Sequence, residues 1–269
     1  MQILAFMPVF NEADILEASV THLASRGIRT HVLDNWSTDG SWEIARQLQE
    51  CGIADIERVP TGGPPSAYDL FMMRDRVVEL SMSSNAEWFI WNDADEYIHT
   101  ALATTSLPDA LEACSTSGFN AVEQLVAHFP AVDDGYPAGA DFVAYFRHWR
   151  AQRQSGARPW VRVWRRTGDV PVFRGGNHEI DFAGRRIAPV PFILRHYPLR
   201  SQQHALRKIF VERRPRFTDA ERTRGWHTHY DAATADQSFL EQPETLQVLD
   251  ERTFAAQVFA ALGRAVPFA

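Results

Sequence analysis

The sequence has 269 residues, of which 45% are hydrophobic and 23% charged, as expected for one large globular domain or one domain with an appendage. Residues 145–224 hold 19 of the 27 Lys and Arg residues and only 6 acids, a balance of +13, whereas the remainder carries −20. This split predicts a surface for a small phosphorylated ligand on the second half. It argues against a long nucleic acid, which the acidic remainder would repel.

The first hundred residues alternate between apolar runs and helical patterns. Strands are predicted at residues 2–9, 28–33, 53–59 and 87–92, with helices beginning after Asn11 or Asp14, after Asp39 and at Ala67. This order predicts a parallel sheet with right-handed crossovers, flanked by helices.

Past Glu96 the regular alternation fades into a mixed α+β pattern. Helices are predicted at residues 106–116, 199–214 and 236–262, and strands at 119–127, 142–149, 160–166 and 186–197. We therefore predict one domain made of residues 1–100 and 101–215, followed by a helical C-terminal extension over residues 216–269.

The sequence carries no sign of export or of a redox framework. Cys51 and Cys114 stand alone, which suggests neither a disulfide framework nor a thiolate metal site. The apolar opening, residues 1–10, lacks the positive charge of a signal peptide, and no other run reaches transmembrane length. We expect a cytoplasmic protein whose contact with a membrane is at most peripheral, at the inner face, through the arginine-rich half.

The most informative stretch is WFIWNDADEYI, residues 88–98. A short apolar run of this kind is typical of a buried strand, and it leads directly into Asp93, Asp95 and Glu96. Because adjacent carboxylates repel one another, a divalent cation is the usual reason to tolerate them. The alternative is a polar loop with solvated acids. We predict a metal site here.

Each predicted strand end in the first half carries polar side chains: Asn11 and Glu12, Asp34 and Asn35, and Asp93 and Asp95. Ligands of open α/β sheets bind beyond the carboxyl ends of the strands, so these side chains could line one cleft. The sequence contains neither a G-x-G-x-x-G turn after the first strand nor the P-loop lysine pattern, which argues against a dinucleotide-binding Rossmann domain and a P-loop site.

Three of these segments together resemble glycosyltransferase family 2: MPVFNEADIL, LDNWSTDGS and IWNDADEYI. The third is similar to the DxD motif of the family, and HYPLRSQQHALRKI, residues 196–209, loosely resembles a segment of a bacterial branch. The resemblance implies the GT-A (Rossmann-like) fold, a mainly parallel α/β sheet flanked by helices. A smaller mixed α+β acceptor half and the helical tail would follow the nucleotide-binding half.

The resemblance also implies where the nucleoside lies. Pro8, Phe10 and Glu12 would border its pocket, and Asp34 or Asn35 would meet the base. Asn35 departs from the commoner second Asp of the family motif, which leaves the base preference open.

The remaining donor contacts follow the third segment. Asp93 would meet the ribose or its neighbourhood, and Asp95 would hold Mn²⁺ or Mg²⁺ against the diphosphate, where a hard cation offsets the charge of the leaving group. Arg74 could contact phosphate or base. Lys208 falls in the predicted basic helix and could reach the diphosphate, although a solvated basic face is the alternative.

Two histidines could complete the metal site. His196 ends an apolar strand and His178 lies in GGNHEID, residues 175–181. Neutral imidazole binds Mn²⁺ acceptably. The alternative for either is a structural ring bonded to a backbone carbonyl.

An inverting transfer needs a base to take the proton of the acceptor hydroxyl. The family places an acid well after DxD, often in a Glu-Asp pair that this sequence lacks. Glu179 or Asp181 would serve, with Glu179 preferred. The alternative is a turn with surface acids.

We therefore predict a metal-dependent, inverting glycosyltransferase that moves a sugar from a nucleotide-sugar donor to a saccharide or glycolipid acceptor, in cell-surface polysaccharide synthesis. A nucleotidyltransferase acting on a nucleoside triphosphate and a catalytically silent nucleotide- or sugar-binding protein are the rival hypotheses. Hydrolysis at a metal held by His227, His229 and Asp231 is a distant third, because no second cluster completes such a site.

Overall fold

The computed structural model describes residues 1–137, 140–152, 160–225 and 230–266. The first half has the predicted alternation of strands and helices. Its elements are β1 (Ile3–Val9), α1 (Leu16–Ala24), β2 (Arg29–Asp34), α2 (Ser41–Gln47), β3 (Ile53–Arg58), α3 (Leu70–Ser83) and β4 (Trp88–Trp91). The predicted order β-α-β-α-β-α-β is confirmed.

The four strands pair in parallel in the order β4-β1-β2-β3. Alternate residues of β1 reach two different buried clusters: Ala5 and Met7 pack with one, and Phe6 with the other. Both faces of the sheet are therefore covered, which explains why these strands appear in the sequence as continuous apolar runs. The register places Val9 beside Asp34, so the carboxyl ends of β1 and β2 meet at one edge.

The chain from Glu96 onward is built from shorter elements. They are β5 (Glu96–His99), α4 (Leu107–Thr116), β6 (Ala121–His128), α5 (Phe142–Tyr145), β7 (His148–Ala151), β8 (Trp160–Arg165), β9 (Val172–Arg174), β10 (Glu179–Asp181) and β11 (Phe192–His196). Strand β8 runs antiparallel to both β4 and β6, and so joins the two halves into one sheet. Strand β11 pairs in parallel with β6 and antiparallel with β5, which brings His196 beside Glu96.

The predicted basic helix at 199–214 is present in a modified form. It begins as α6 (Gln202–Leu206), continues as a π-helix over Arg207–Arg213 and ends in a 3₁₀ turn, Arg214–Arg216. The side chain of Ser201 caps it by accepting from His204 N–H. π-helical turns are frequent at functional sites. This one carries Lys208 and Glu212 inward.

The C-terminal region contains α7 (Asp219–Thr223), a 3₁₀ turn (Pro243–Thr245), β12 (Gln247–Val248) and α8 (Phe254–Ala261). The helix predicted over residues 236–262 therefore forms only at its end. Pro243 lacks the N–H of a helix interior, and β12 pairs instead with β7. The strand predicted at 142–149 likewise begins as α5. The division into residues 1–215 and 216–269 stays a prediction.

The whole sheet has the order β12-β7-β6-β8-β4-β1-β2-β3, with β5, β9, β10 and β11 attached beside it. The predicted α/β fold class is confirmed, with the parallel pairing concentrated in the first hundred residues. None of the helices in the described ranges has both the length and the apolar character needed to cross a bilayer.

Candidate active site

The site begins at the turn after β1, which is tied to the turn after β2. Asn11 has the left-handed φ of +58°, a conformation that Asn tolerates better than most residues. Its N–H donates to Ser37 Oγ at 3.0 Å, and its Oδ1 accepts from Thr38 N–H at 2.8 Å. Its amide also donates to Glu212 of the π-helix at 2.9 Å. The first two sequence motifs and the basic helix therefore meet at this residue.

Lys208 connects the first and third motifs. Its Nζ lies 3.0 Å from Glu12 Oε1 and 3.0 Å from Asp95 Oδ2, and all three side chains are buried. Burial alone would raise the pKa of Glu12, but Lys208 and then Arg200 outweigh it and hold that pKa well below its usual value. The carboxylates are therefore charged in the folded protein, and the lysine supplies the compensating positive charge.

Asp95 and His196 face each other across the same space. Lys208 takes Oδ2 of Asp95, while Oδ1 lies 3.8 Å from His196 Nε2. Burial lowers the pKa of His196, which favours the neutral imidazole, and its Nδ1 is buried without a hydrogen-bond partner among the described residues. A neutral imidazole nitrogen and a carboxylate oxygen are suitable ligands for Mn²⁺. This pair of predicted ligands fits a divalent cation.

A second group also has the spacing of a metal site: Glu12, Asp14 and His204. Arg200 occupies it, because the guanidinium donates to Glu12 at 2.6 Å and to both oxygens of Asp14 at 2.6 and 2.7 Å. The Nδ1 atom of His204 accepts the backbone N–H of Arg200 at 3.2 Å. Arginine thus takes the place that a cation would need in this group.

Asp93 and Glu96 share the guanidinium of Arg162. Its Nη2 lies 2.7 Å from Glu96 Oε1 and its Nη1 3.4 Å from Asp93 Oδ2. Glu96 also accepts the backbone N–H of Asp93 at 2.9 Å, and Trp91 Nε1 donates to Asp93 Oδ1 at 2.9 Å. Arg162 is fully buried. The turn from Asp93 to Glu96 is therefore held in place by Arg162, by Trp91 and by the Glu96 side chain itself.

The pocket predicted for the nucleoside lies at the ends of β1 and β2. Pro8 is within β1 opposite Leu33, and Phe10 follows that strand. Asp34 is buried, accepts from Ser37 N–H and has Arg58 at 3.5 Å; burial raises its pKa. Asn35 is also buried.

Three predicted residues lie on the β8–β10 side. Glu179 is buried and pairs with Arg185 at 2.9 Å, whereas Asp181 pairs with Arg174 at 2.9 Å. The ring of His178 stacks on Trp160 with centroids 4.1 Å apart, and Trp160 in turn lies 4.9 Å from the Arg162 guanidinium. This strand edge is therefore linked through Trp160 and Arg162 to the turn that carries Asp93 and Glu96.

Arg74 donates to the backbone carbonyl of Phe173 in β9 and lies over the rings of Phe71 and Phe173. His227 and His229 lie outside the described residues. Asp231, the third member of that stretch, pairs with Arg222 at 3.5 Å. The roles assigned from sequence to all these residues stay predictions.

Sequence reasoning missed Arg162, Arg200 and Arg216 as site residues. Arg162 had a detectable signal, since it is a lone charge between apolar residues of WVRVW, residues 160–164. Arg200 lies in the segment quoted for the family resemblance, beside His196 and Lys208. Arg216 had no local signal, because only its contacts with the Phe10 ring and with Asn35 Oδ1 mark it out.

A search of curated proteins gave no significant match. Solved structures align with this chain at low similarity. Staphylococcus aureus TarS (residues 1–349) has 18% identity over 52% of this chain and 38% of that chain, with a TM-score of 0.33. Glucosyl-3-phosphoglycerate synthase from Mycobacterium tuberculosis, with phosphoglyceric acid, has 15% identity over 46% of this chain and 44% of that chain, TM-score 0.33. The alignments thus span less than half of either relative.

The family comparison is more specific. Residues 5–113 match the family described as Glycosyl transferase family 2. The matched segment contains the strand-end motifs around Glu12, Asn35 and Asp95. It ends before Arg162, His196 and Lys208, so the arginine-rich half contributes site residues from outside the match. Over residues 5–113, the chain is therefore similar to glycosyl transferase family 2, in agreement with the resemblance that its strand-end motifs carry.

Proposed function

We propose that the protein transfers a sugar from a nucleotide-sugar donor to a saccharide or glycolipid acceptor. The observation that carries this proposal is that Glu12 and Asp95 both contact Lys208 Nζ, while His196 Nε2 lies 3.8 Å from the other oxygen of Asp95. Charged groups of both signs, buried together at the carboxyl edge of a parallel sheet, suit a ligand that combines phosphate with a metal ion.

Asp95 and His196 would hold the divalent cation, Mn²⁺ or Mg²⁺. When bound, such an ion offsets the negative charge that develops on a departing nucleoside diphosphate. Lys208 is placed to stabilise the same charge. The guanidinium of Arg213, 3.8 Å from Glu12 Oε1, adds a second positive group near it.

Asp93 is the candidate contact for the ribose. Its side chain is about one-third exposed, while its Arg162 partner is fully buried. Arg162 fixes the position of this carboxylate, and its other side is open to solvent. It can therefore accept a hydrogen bond from a ligand without an additional entropic cost of ordering.

Glu179 is the candidate base for an inverting transfer, with Asp181 as the alternative on the same strand. A base must reach the acceptor hydroxyl and must be able to accept a proton. Because Arg185 pairs with Glu179 at 2.9 Å, we expect the acceptor to weaken this ion pair when it binds. A role in cell-surface polysaccharide synthesis rests on the family resemblance alone.

The test is thermal stability of the full chain against UDP-, GDP-, CMP- and dTDP-sugars, each with Mn²⁺ and with EDTA. Binding to the native state raises the apparent melting temperature by mass action. We expect one class of donor to stabilise the protein, and EDTA to abolish that effect. A response to nucleoside triphosphates but to no nucleotide sugar would overturn the proposal in favour of a nucleotidyltransferase. Binding without transfer to any acceptor would indicate a silent binding protein.

A further inference from the structure

Arg216, the last residue of the 3₁₀ turn, reaches into the pocket predicted for the nucleoside. Its guanidinium carbon lies 3.7 Å from the centroid of the Phe10 ring. Its Nη2 donates to Asn35 Oδ1 at 2.5 Å. A planar cation stacked on an aromatic ring, with one N–H directed at an amide oxygen, fills the space between these two residues.

Asn35 has a fixed orientation, which determines what it offers to the pocket. Its Nδ2 donates to the carbonyl of Val59 at 2.8 Å, and its own backbone N–H donates to Val9 at 2.8 Å. With the amide nitrogen used in this way, Oδ1 is the atom presented to the pocket. In this structure Arg216 takes that acceptor.

The backbone that carries Arg216 is anchored, but its side chain is long. Tyr68 N–H donates to the carbonyl of Arg216 at 2.8 Å. Glu221, shortly after it, accepts Leu70 N–H at 3.1 Å. The Nη1 atom of Arg216 is buried and lacks a hydrogen-bond partner within the described ranges. The guanidinium is thus incompletely satisfied, and rotation of the side chain can empty the pocket without unfolding the segment.

We infer that Arg216 is a gate that holds the place of the nucleobase in the free protein. A base that stacks on Phe10 and donates a ring N–H to Asn35 Oδ1 would make the two contacts that Arg216 now makes. Both cannot do so together, so the donor binds only to the fraction of molecules in which Arg216 has turned away. This inference rests on the proposed function, because it takes Phe10 and Asn35 as the base pocket.

The gate has a measurable consequence for affinity. The observed dissociation constant equals the intrinsic one divided by the open fraction. A cation–π contact and one hydrogen bond to a neutral amide would leave the open fraction at roughly one in ten. Removing the guanidinium should therefore tighten the binding of a nucleotide about tenfold, whereas loss of an ordinary ligand contact would weaken it.

The experiment is titration calorimetry of the full chain with UDP, with GDP and with inorganic diphosphate, all in Mn²⁺. Arg216→Ala is compared with wild type and with Arg222→Ala, a control in the same segment whose partner is Asp231. Arg216→Gln, which keeps an N–H but loses the charge and the flat stack, should fall between wild type and Arg216→Ala.

We expect Arg216→Ala to bind one nucleoside diphosphate about tenfold more tightly, with no change for inorganic diphosphate, which has no base to compete. Arg222→Ala should match wild type. Unchanged or weaker nucleotide binding in Arg216→Ala would overturn the gate while leaving the proposed function intact. Failure of every variant and of wild type to bind any nucleotide would instead overturn the proposed function.

Discussion

The two halves of the chain differ in charge, and many of the opposite charges pair with one another inside the protein. The first half ends its strands in acids, and the second half carries most of the arginines. The sequence suggested that these arginines form a surface for a phosphorylated ligand. Many instead pair with acids of the protein, as in Arg150–Glu241, Arg162–Glu96, Arg185–Glu179, Arg195–Glu251 and Arg200–Glu12. A charge split along a sequence can therefore reflect internal complementarity as well as a partner.

The most deeply buried of these pairs join the two halves at the site. Arg200 and Lys208 come from the second half, and Glu12 and Asp95 from the first. Removing one member of a buried ion pair is costly because it leaves the other charge buried and uncompensated. The acids of the family-matched segment thus depend on cations from outside it.

Arg200→Met provides the most severe test of this dependence. It leaves Glu12 and Asp14 without the guanidinium that contacts both, so we expect a loss of about 3–5 kcal/mol in the free energy of unfolding. Urea denaturation followed by circular dichroism measures it. Arg252→Met is the matched control, because that side chain is 89% exposed and should leave the midpoint unchanged. Equal midpoints for the two variants would show that the pairing between the halves does not stabilise the fold.

Glu179→Gln tests whether the second half also supplies the catalytic base. If Glu179 is the base, kcat should fall by about 10²- to 10⁴-fold, the usual contribution of general-base catalysis, with little change in KM for the donor. Asp181→Asn, on the same strand, is the comparison and should retain most activity. A larger loss in Asp181→Asn would show that Asp181 is the base. Small losses in both variants would show that neither acid of β10 acts as the base.

Asp95→Asn tests the corresponding role of the first half. We expect kcat/KM to fall more than about a hundredfold, because the substitution weakens both the cation site and the contact with Lys208. Asp55→Asn, an exposed acid on β3, should behave as wild type. Near-normal turnover in Asp95→Asn would contradict the assignment of this carboxylate to the donor site.

The sequence predicted the first half well for a physical reason. Strands buried on both faces must be continuously apolar, so Ile3–Val9 and Trp88–Trp91 are unambiguous even in a single sequence. Their carboxyl ends must then meet at one edge of the sheet, so the motif order alone predicts that Glu12, Asn35 and Asp95 lie in the same region.

The second half was predicted less well, because its elements depend on distant partners. Strand β5 follows the acidic turn with no break, and it exists because β11 pairs with it. The buried position of Arg200 cannot be predicted from its neighbours, since it depends on Glu12, which lies 188 positions away. A gate at Arg216 likewise has no signature in the sequence, because it depends on the Phe10 ring beneath the guanidinium.

The smallest expected effect concerns the buried pair of Glu96 and Arg162. Burial raises the pKa of Glu96 to about 8 in spite of Arg162, and the neighbouring charges of Asp93 and Asp95 add to the rise. A carboxyl whose pKa is raised on folding contributes stability that is complete below its unfolded pKa of 4.5 and is lost as the pH rises through 8. The protein should therefore become less stable between about pH 5 and pH 8.

Glu96→Gln isolates this contribution, because the amide keeps the shape of the protonated acid and does not titrate. A full shift corresponds to about 1.4 kcal/mol per pH unit. We expect only part of it, about 1–2 kcal/mol of extra loss in wild type relative to Glu96→Gln, since buried sites relax and admit water when they ionise. Urea midpoints at pH 5, 6, 7 and 8 measure the difference, and Glu112→Gln, an exposed acid on α4, should follow the wild-type profile. If Glu96→Gln follows it too, Glu96 is ionised throughout this range, and Arg162 then compensates a permanent charge in the same way that Lys208 and Arg200 compensate Glu12.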